Sequence, residues 1–154
     1  MSITQKRMIG MLLGNLLLGI AIGILRIAGL GTDPFATMNL GVSSTIGLSF
    51  GFYTVIFNLL LFIFLFFNSR ELIGIGTFIN MFLLGYTADF IVYGYEAMNF
   101  SEPGLGIRLL LLFAGVFISS TGLSLYVTAN LGVSPYDALP LIILCSKRPT
   151  DSKR

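Results

Sequence analysis

Three aspartates stand out in a chain that otherwise offers little chemistry. Asp33 lies in "GLGTDPF", Asp89 in "GYTADFIVYGY" and Asp137 in "PYDAL", each within or beside a run of apolar residues. A carboxylate at the centre of a membrane-crossing helix costs about 2.5–3.5 kcal/mol on insertion scales. Each acid is therefore a candidate for binding a small solute or facing a wet cavity. The plainer reading of Asp89 is a carboxylate near a helix end that reaches the interface. Asn15, Asn39, Asn58 and Asn80 are further candidates to contact a substrate, although such side chains more commonly hydrogen-bond across helices. Arg26 stands two residues before the end of its apolar run, where it can snorkel to the interface. Spacing alone pairs it with neither Asp33 nor Asp89.

Other chemistries are poorly provided for. The chain has no histidine and one cysteine, Cys145, so histidine acid–base work and a Cys/His zinc site are excluded. It contains no phosphate loop and no serine–base pair at a recognisable spacing. The expectation is a protein that is not an enzyme and carries no cofactor or metal. The net charge of +2 is too small to argue for nucleic acid.

Composition names the solvent instead. Hydrophobic residues make up 55% of the 154, charged residues only 10%, and the mean hydropathy is +0.92. A soluble domain carries roughly a quarter charged residues, so this chain cannot cover its surface in water and its main partner is the lipid bilayer. A crossing helix needs about 20 apolar residues. Residues 8–28, 48–67, 72–93 and 109–128 qualify, whereas 35–47 and 136–145 are too short or too polar to span. The expected fold is all-α, a polytopic transmembrane helix bundle.

The short segments belong to an internal repeat. At a shift of 101 residues the pairs Arg7/Arg108, Gly14/Gly115, Ala28/Ala129, Leu30/Leu131, Gly31/Gly132, Pro34/Pro135 and Leu40/Leu141 are identical, and Phe35 lies over Tyr136. The matches cluster in A-x-L-G-x-x-P-[FY], where each long helix breaks. Gly31 and Gly132 suit the positive φ of a helix stop. Pro34 and Pro135 suit the first turn of a new helix, with Asp33 and Ser134 in the cap position before them. The first unit is expected over residues 1–95, an incomplete second unit over 104–146, and a basic tail over 147–154. The second copy has no equivalent of residues 48–93, so we expect a truncated reading frame whose product is unstable or associates with another copy. Duplicated units with interrupted helices at matching positions are transporter-like, with a site near the breaks; they also arise as old duplications whose breaks merely cap helices.

Small residues predict the packing faces. Gly10-xxx-Gly14 and Gly19-xxx-Gly23 lie on roughly opposite sides of the first span, which predicts a central helix. Gly115, Ser120 and Ser124 are the corresponding packing residues of the fourth span. Residues 48–67 are bulky and apolar all round, as for a helix facing lipid.

The motifs "LGTDPF", "IGIGTFINMFLLGYTADF" and "LGVSPYDALPLII" resemble the bacterial YczE/YyaS/YitT-like integral membrane proteins. Those proteins carry a twice-repeated L-G-x-x-P-[aromatic] element, each followed by a G-I-G-T segment that leads to a glycine and often an acid. The likeness covers residues 7 to about 144 and lacks the second G-I-G-T segment. It implies a multi-pass protein of a bacterial plasma membrane and little about chemistry.

Two topologies are open. If residues 35–47 dip in and return, the first unit crosses three times and the two units are inverted. If they cross, the units are parallel. Lys6 and Arg7 place the N-terminus in the cytoplasm either way. The tail cations Lys147, Arg148, Lys153 and Arg154 lie inside only with the dip, which favours it. The expected function is transporter-like handling of a small solute near the breaks. The alternative is an accessory protein that acts through a membrane-protein partner or a second copy.

Overall fold

The computed structural model describes residues 3–68, 74–99, 103–132 and 134–138. Among the described residues the chain is all helical. The elements are α1 (Ile3–Ala28), α2 (Pro34–Ile46), α3 (Phe50–Asn68), α4 (Ile75–Ala97) and α5 (Leu105–Ala129), with residues 135–138 helical after the second break. The remainder of the expected short segment 136–145 and the tail 147–154 lie outside the described residues.

Of the four expected spans, α1, α3 and α5 combine the length and apolarity needed to cross a membrane. The α4 helix has the length, at 23 residues, but carries Thr77, Asn80, Thr87 and Asp89. Its polarity has a packing reason. Thr77 and Asn80 are buried, because α4 lies between α1 and α3 and turns those side chains to protein.

The helix directions follow from which residues meet. A Cβ on Gly14 of α1 would meet Tyr126 and Gly122 of α5, and one on Gly115 would meet Leu25, so α1 and α5 run antiparallel. Gly19 lies against Leu84 and Thr87 of α4, and Gly23 against Ala88 and Ile91, so α1 and α4 run parallel. Gly51 of α3 lies against Gly85, and Phe62 of α3 packs on Phe78, so α3 opposes α4. α1 is thus clasped on two sides, with separate glycines serving each seam.

The remaining small residues lie elsewhere. Gly10 has nothing within 4 Å of an added Cβ, because the α5 seam ends where Ala129 and Tyr126 pack on Met11. Ser120 and Ser124 are exposed. At about 100° per residue, Gly122 shares the face of Gly115 while Ser120 turns well away from it. The buried second member of the α5 seam is therefore Gly122, which the serine spacing does not indicate.

Candidate functional site

The first break is built from local rules. α1 ends at Gly29, whose φ is +64° and whose N–H reaches Leu25 O at 3.2 Å. Gly31 (φ +105°) therefore turns the chain inside the break, and the helix stop expected at Gly31 falls at Gly29 instead. The Asp33 side chain accepts a hydrogen bond from Ala36 N at 3.0 Å, and Pro34 opens α2. This is an N-cap in which the carboxylate also faces the positive end of the helix dipole. The α2 helix stops at Gly47 (φ +72°), whose N–H returns to Ser43 O.

The second break repeats these conformations. Asn130, in the position of Gly29, has φ +49°, and Gly132 has φ +113°. Asparagine is the residue after glycine that tolerates this region, so an N for G exchange concealed the match. The environments of the two glycines differ. Gly132 packs on Gly74 and Thr77, and Gly76 N donates to Leu131 O at 3.0 Å. A Cβ on Gly74 would overlap Leu131 O. The "GIGT" stretch thus gives up side chains so that the Leu131–Gly132 backbone can dock against it. Gly31 has nothing within 4 Å of an added Cβ. Ser134 N donates to the Tyr126 hydroxyl, which ties the second break to α5.

α2 does not cross. Its 13 residues rise about 20 Å, short of a hydrocarbon core of about 30 Å. Its start shares a cavity with Leu18 and Ile22 of α1 and Asn58 of α3, residues well inside their helices. Its end lies with Arg26, Phe50 and Asp89, where α1 stops and α3 begins. The chain from Gly29 to Gly47 therefore enters the bundle and comes back to the same side. The Phe35 ring, at the deep end, stacks on Tyr136 of the second break with centroids 4.2 Å apart.

The two breaks meet at a cavity of about 250 Å³ whose lining includes Asp33, Asn58, Asn80, Ser119, Ser134 and Asp137. Asp33 is exposed and Asp137 half-buried, and both line this cavity. Asn80 donates to Asn15 Oδ1 at 2.5 Å, and Asn15 in turn donates to Met11 O. That pair is a cross-helix hydrogen bond joining α1 to α4. Asn58 Oδ1 is buried without a hydrogen-bond partner among the described residues, as are both amide atoms of Asn39 and the Thr54 hydroxyl.

Asp89 stands apart. One oxygen accepts from Arg26 Nη1 at 2.7 Å and the other from Gly51 N at 2.6 Å. The Arg26 guanidinium also lies 4.8 Å from the Phe50 ring centroid. The carboxylate thus neutralises a cation and caps the first turn of α3 in one contact set. Of the three acids singled out from sequence, the structure brings Asp33 and Asp137 to one cavity and places Asp89 in a separate cleft.

A search of family models matches residues 5–148 to a family described as "Family of unknown function (DUF6198)". The chain belongs to that family. The chain is 30% identical to the "Uncharacterized membrane protein YczE" of Bacillus subtilis over 117 residues, 74% of this chain and 51% of YczE. It is 28% identical to the "Uncharacterized protein YyaS" of the same organism, over 85% of this chain and 65% of YyaS. An "Uncharacterized protein" of Haemophilus influenzae is 25% identical over 93% of this chain and 63% of its own length. The chain therefore spans between about half and two thirds of these relatives. No solved structure matches it. This DUF6198 chain is a membrane protein with apolar helices, as the naming of YczE and the chain's own composition agree.

Proposed function

We propose that this DUF6198 protein is transporter-like and handles a small polar solute in the cavity between its two breaks. The observation that carries the reading is the meeting of two interrupted segments inside the bundle, with Phe35 stacked on Tyr136 beside that cavity. α1 and α5, which correspond in the repeat, run in opposite directions. The units are then related by inversion, the arrangement in which secondary transporters place discontinuous helices around a site near the midplane. Non-helical backbone at that depth is tolerated where it is buried in protein or lines a wet space. Lys6 and Arg7 support a cytoplasmic N-terminus, and the bacterial source of the relatives supports a plasma-membrane location. With that orientation the first break opens from the outside and the second from the cytoplasm.

The test is solute entry into proteoliposomes, followed by light scattering after osmotic steps with cationic, neutral and anionic solutes of up to about ten heavy atoms. The reading expects one class to enter faster than in protein-free vesicles, with the gain lost in Asn58→Leu. Rates equal to protein-free vesicles for all three classes would refute it.

A further inference from the structure

Charge and unfilled hydrogen bonding together narrow the solute. Among the described residues the cavity between the breaks is lined by two carboxylates, Asp33 and Asp137, and by no lysine or arginine. The one ion pair between described side chains, Arg26 with Asp89, lies in a different cleft. The two acids therefore share this cavity with no cation among its described lining residues to offset them. Ionisable groups at such depth ordinarily pair or face a solute pathway.

A second observation points the same way and does not depend on the acids. Asn58 is 3% exposed and lines the cavity, and its Oδ1 has no hydrogen-bond partner among the described residues. A buried carbonyl oxygen left unpaired is unfavourable, and what it lacks is a donor. The N-terminus of α2 would by itself attract an anion. Here Ala36 N is already taken by the Asp33 carboxylate, so the dipole end is covered by a negative group. Two carboxylates and an orphan acceptor ask for positive charge carrying N–H groups. Phe35 and Tyr136 add aromatic rings to the wall, and such rings attract cations through their faces. Leu18, Ile22 and Leu84 supply an apolar side. A cavity of about 250 Å³ holds several waters, which is large for a bare metal ion and suited to an organic molecule.

We propose that the solute is a small organic ammonium ion, held by Asp33 and Asp137 with Asn58 Oδ1 accepting one of its N–H groups and its carbon skeleton on the apolar side. This assignment rests on the transporter-like reading of the same cavity.

The test uses the purified chain in lipid nanodiscs and three probes of one shape: benzylammonium, benzyl alcohol and benzoate. Equilibrium dialysis against protein-free nanodiscs removes partitioning into lipid. Saturable retention of benzylammonium alone is expected, weakened at least tenfold in both Asp137→Asn and Asp33→Asn. Asparagine is as good an N-cap as aspartate, so Asp33→Asn keeps the start of α2 while removing the charge. Both variants are compared at matched elution and melting with the parent chain. Saturable retention of benzyl alcohol or benzoate that matches or exceeds benzylammonium would overturn the ammonium assignment while leaving a solute site in place. Benzylammonium binding unchanged in both variants would overturn it too. Saturable binding of none of the three would overturn this assignment, and with normal solute entry in the vesicle assay the transporter-like reading would still stand.

Discussion

Gly10 and Gly14 form one small-residue pair in the sequence, one turn apart on the same side of α1, yet alanine should act on them in opposite directions. A Cβ on Gly14 would lie 2.7 Å from Tyr126 N, 2.8 Å from Gly122 O and 3.0 Å from Tyr126 Cα. All three are backbone atoms, so no rotamer change relieves the clash. Carbon contacts settle near 3.5–4.0 Å, so α5 must move outward by close to an ångström along the α1 seam. Overpacking of this kind typically costs about 1–3 kcal/mol. Alanine returns about 1 kcal/mol of helix propensity, leaving Gly14→Ala destabilised by about 1 kcal/mol or somewhat more. Gly10 meets nothing within 4 Å, so Gly10→Ala keeps only the gain, about 0.5–1 kcal/mol. The two variants should differ by about 2 kcal/mol. On the scale for soluble domains of this size, about 2–4 °C per kcal/mol, their melting temperatures should separate by roughly 4–8 °C. Thermal unfolding in a mild detergent, read by circular dichroism at 222 nm, measures this directly. Equal shifts, or a larger loss at Gly10, would show that the α1–α5 contact is not as described.

Three further substitutions probe other links. Asp89→Asn should lower the melting temperature, because Arg26 loses its counter-ion in a partly buried site, an effect of about 1–3 kcal/mol below the fully buried case; Asp89→Leu combined with Arg26→Met should recover part of it, and an unchanged melt for Asp89→Asn would return the residue to the solute candidates. Phe35→Ala and Tyr136→Ala should be coupled by about 0.5–1.5 kcal/mol in a double-mutant cycle, since their rings stack across the two breaks; additive losses would mean that the breaks do not touch. Gly74→Ala should release the second break, because its Cβ would clash with Leu131 O, and faster hydrogen exchange at Gly76 N, which donates to that oxygen, would report it. Protection equal to the parent chain would remove the docking role assigned to "GIGT".

The sequence by itself determined the solvent, the helices and the local form of each break. Those are short-range properties. Apolar run length sets which segments suit a bilayer. Asp33 before Pro34 makes a helix start whatever surrounds it, and the glycine of the break takes positive φ because its lack of a Cβ allows it. Helix boundaries accordingly fall within a few residues of the apolar runs. The sequence also divided the small residues of α1 into two faces, though it could not say that Gly10 lies past the end of its partner.

Tertiary structure decided which polar groups meet. Asp33, Asp89 and Asp137 look alike as isolated acids in apolar context. Asp89 acquires Arg26 from 63 positions away and Gly51 N from 38, and no spacing rule encodes either pairing. Asp33 and Asp137 come to one cavity because α1 and α5 run antiparallel and each break folds back into the bundle. The direction of a neighbouring helix is set by long-range packing of backbone on backbone, at Gly14 on Gly122 and Gly74 on Leu131. The orphan oxygen of Asn58 is a fact of the same kind. An amide–amide bond of the Asn80–Asn15 type was available in principle to any of the four asparagines, and only the packed helices determine which side chains reach one another.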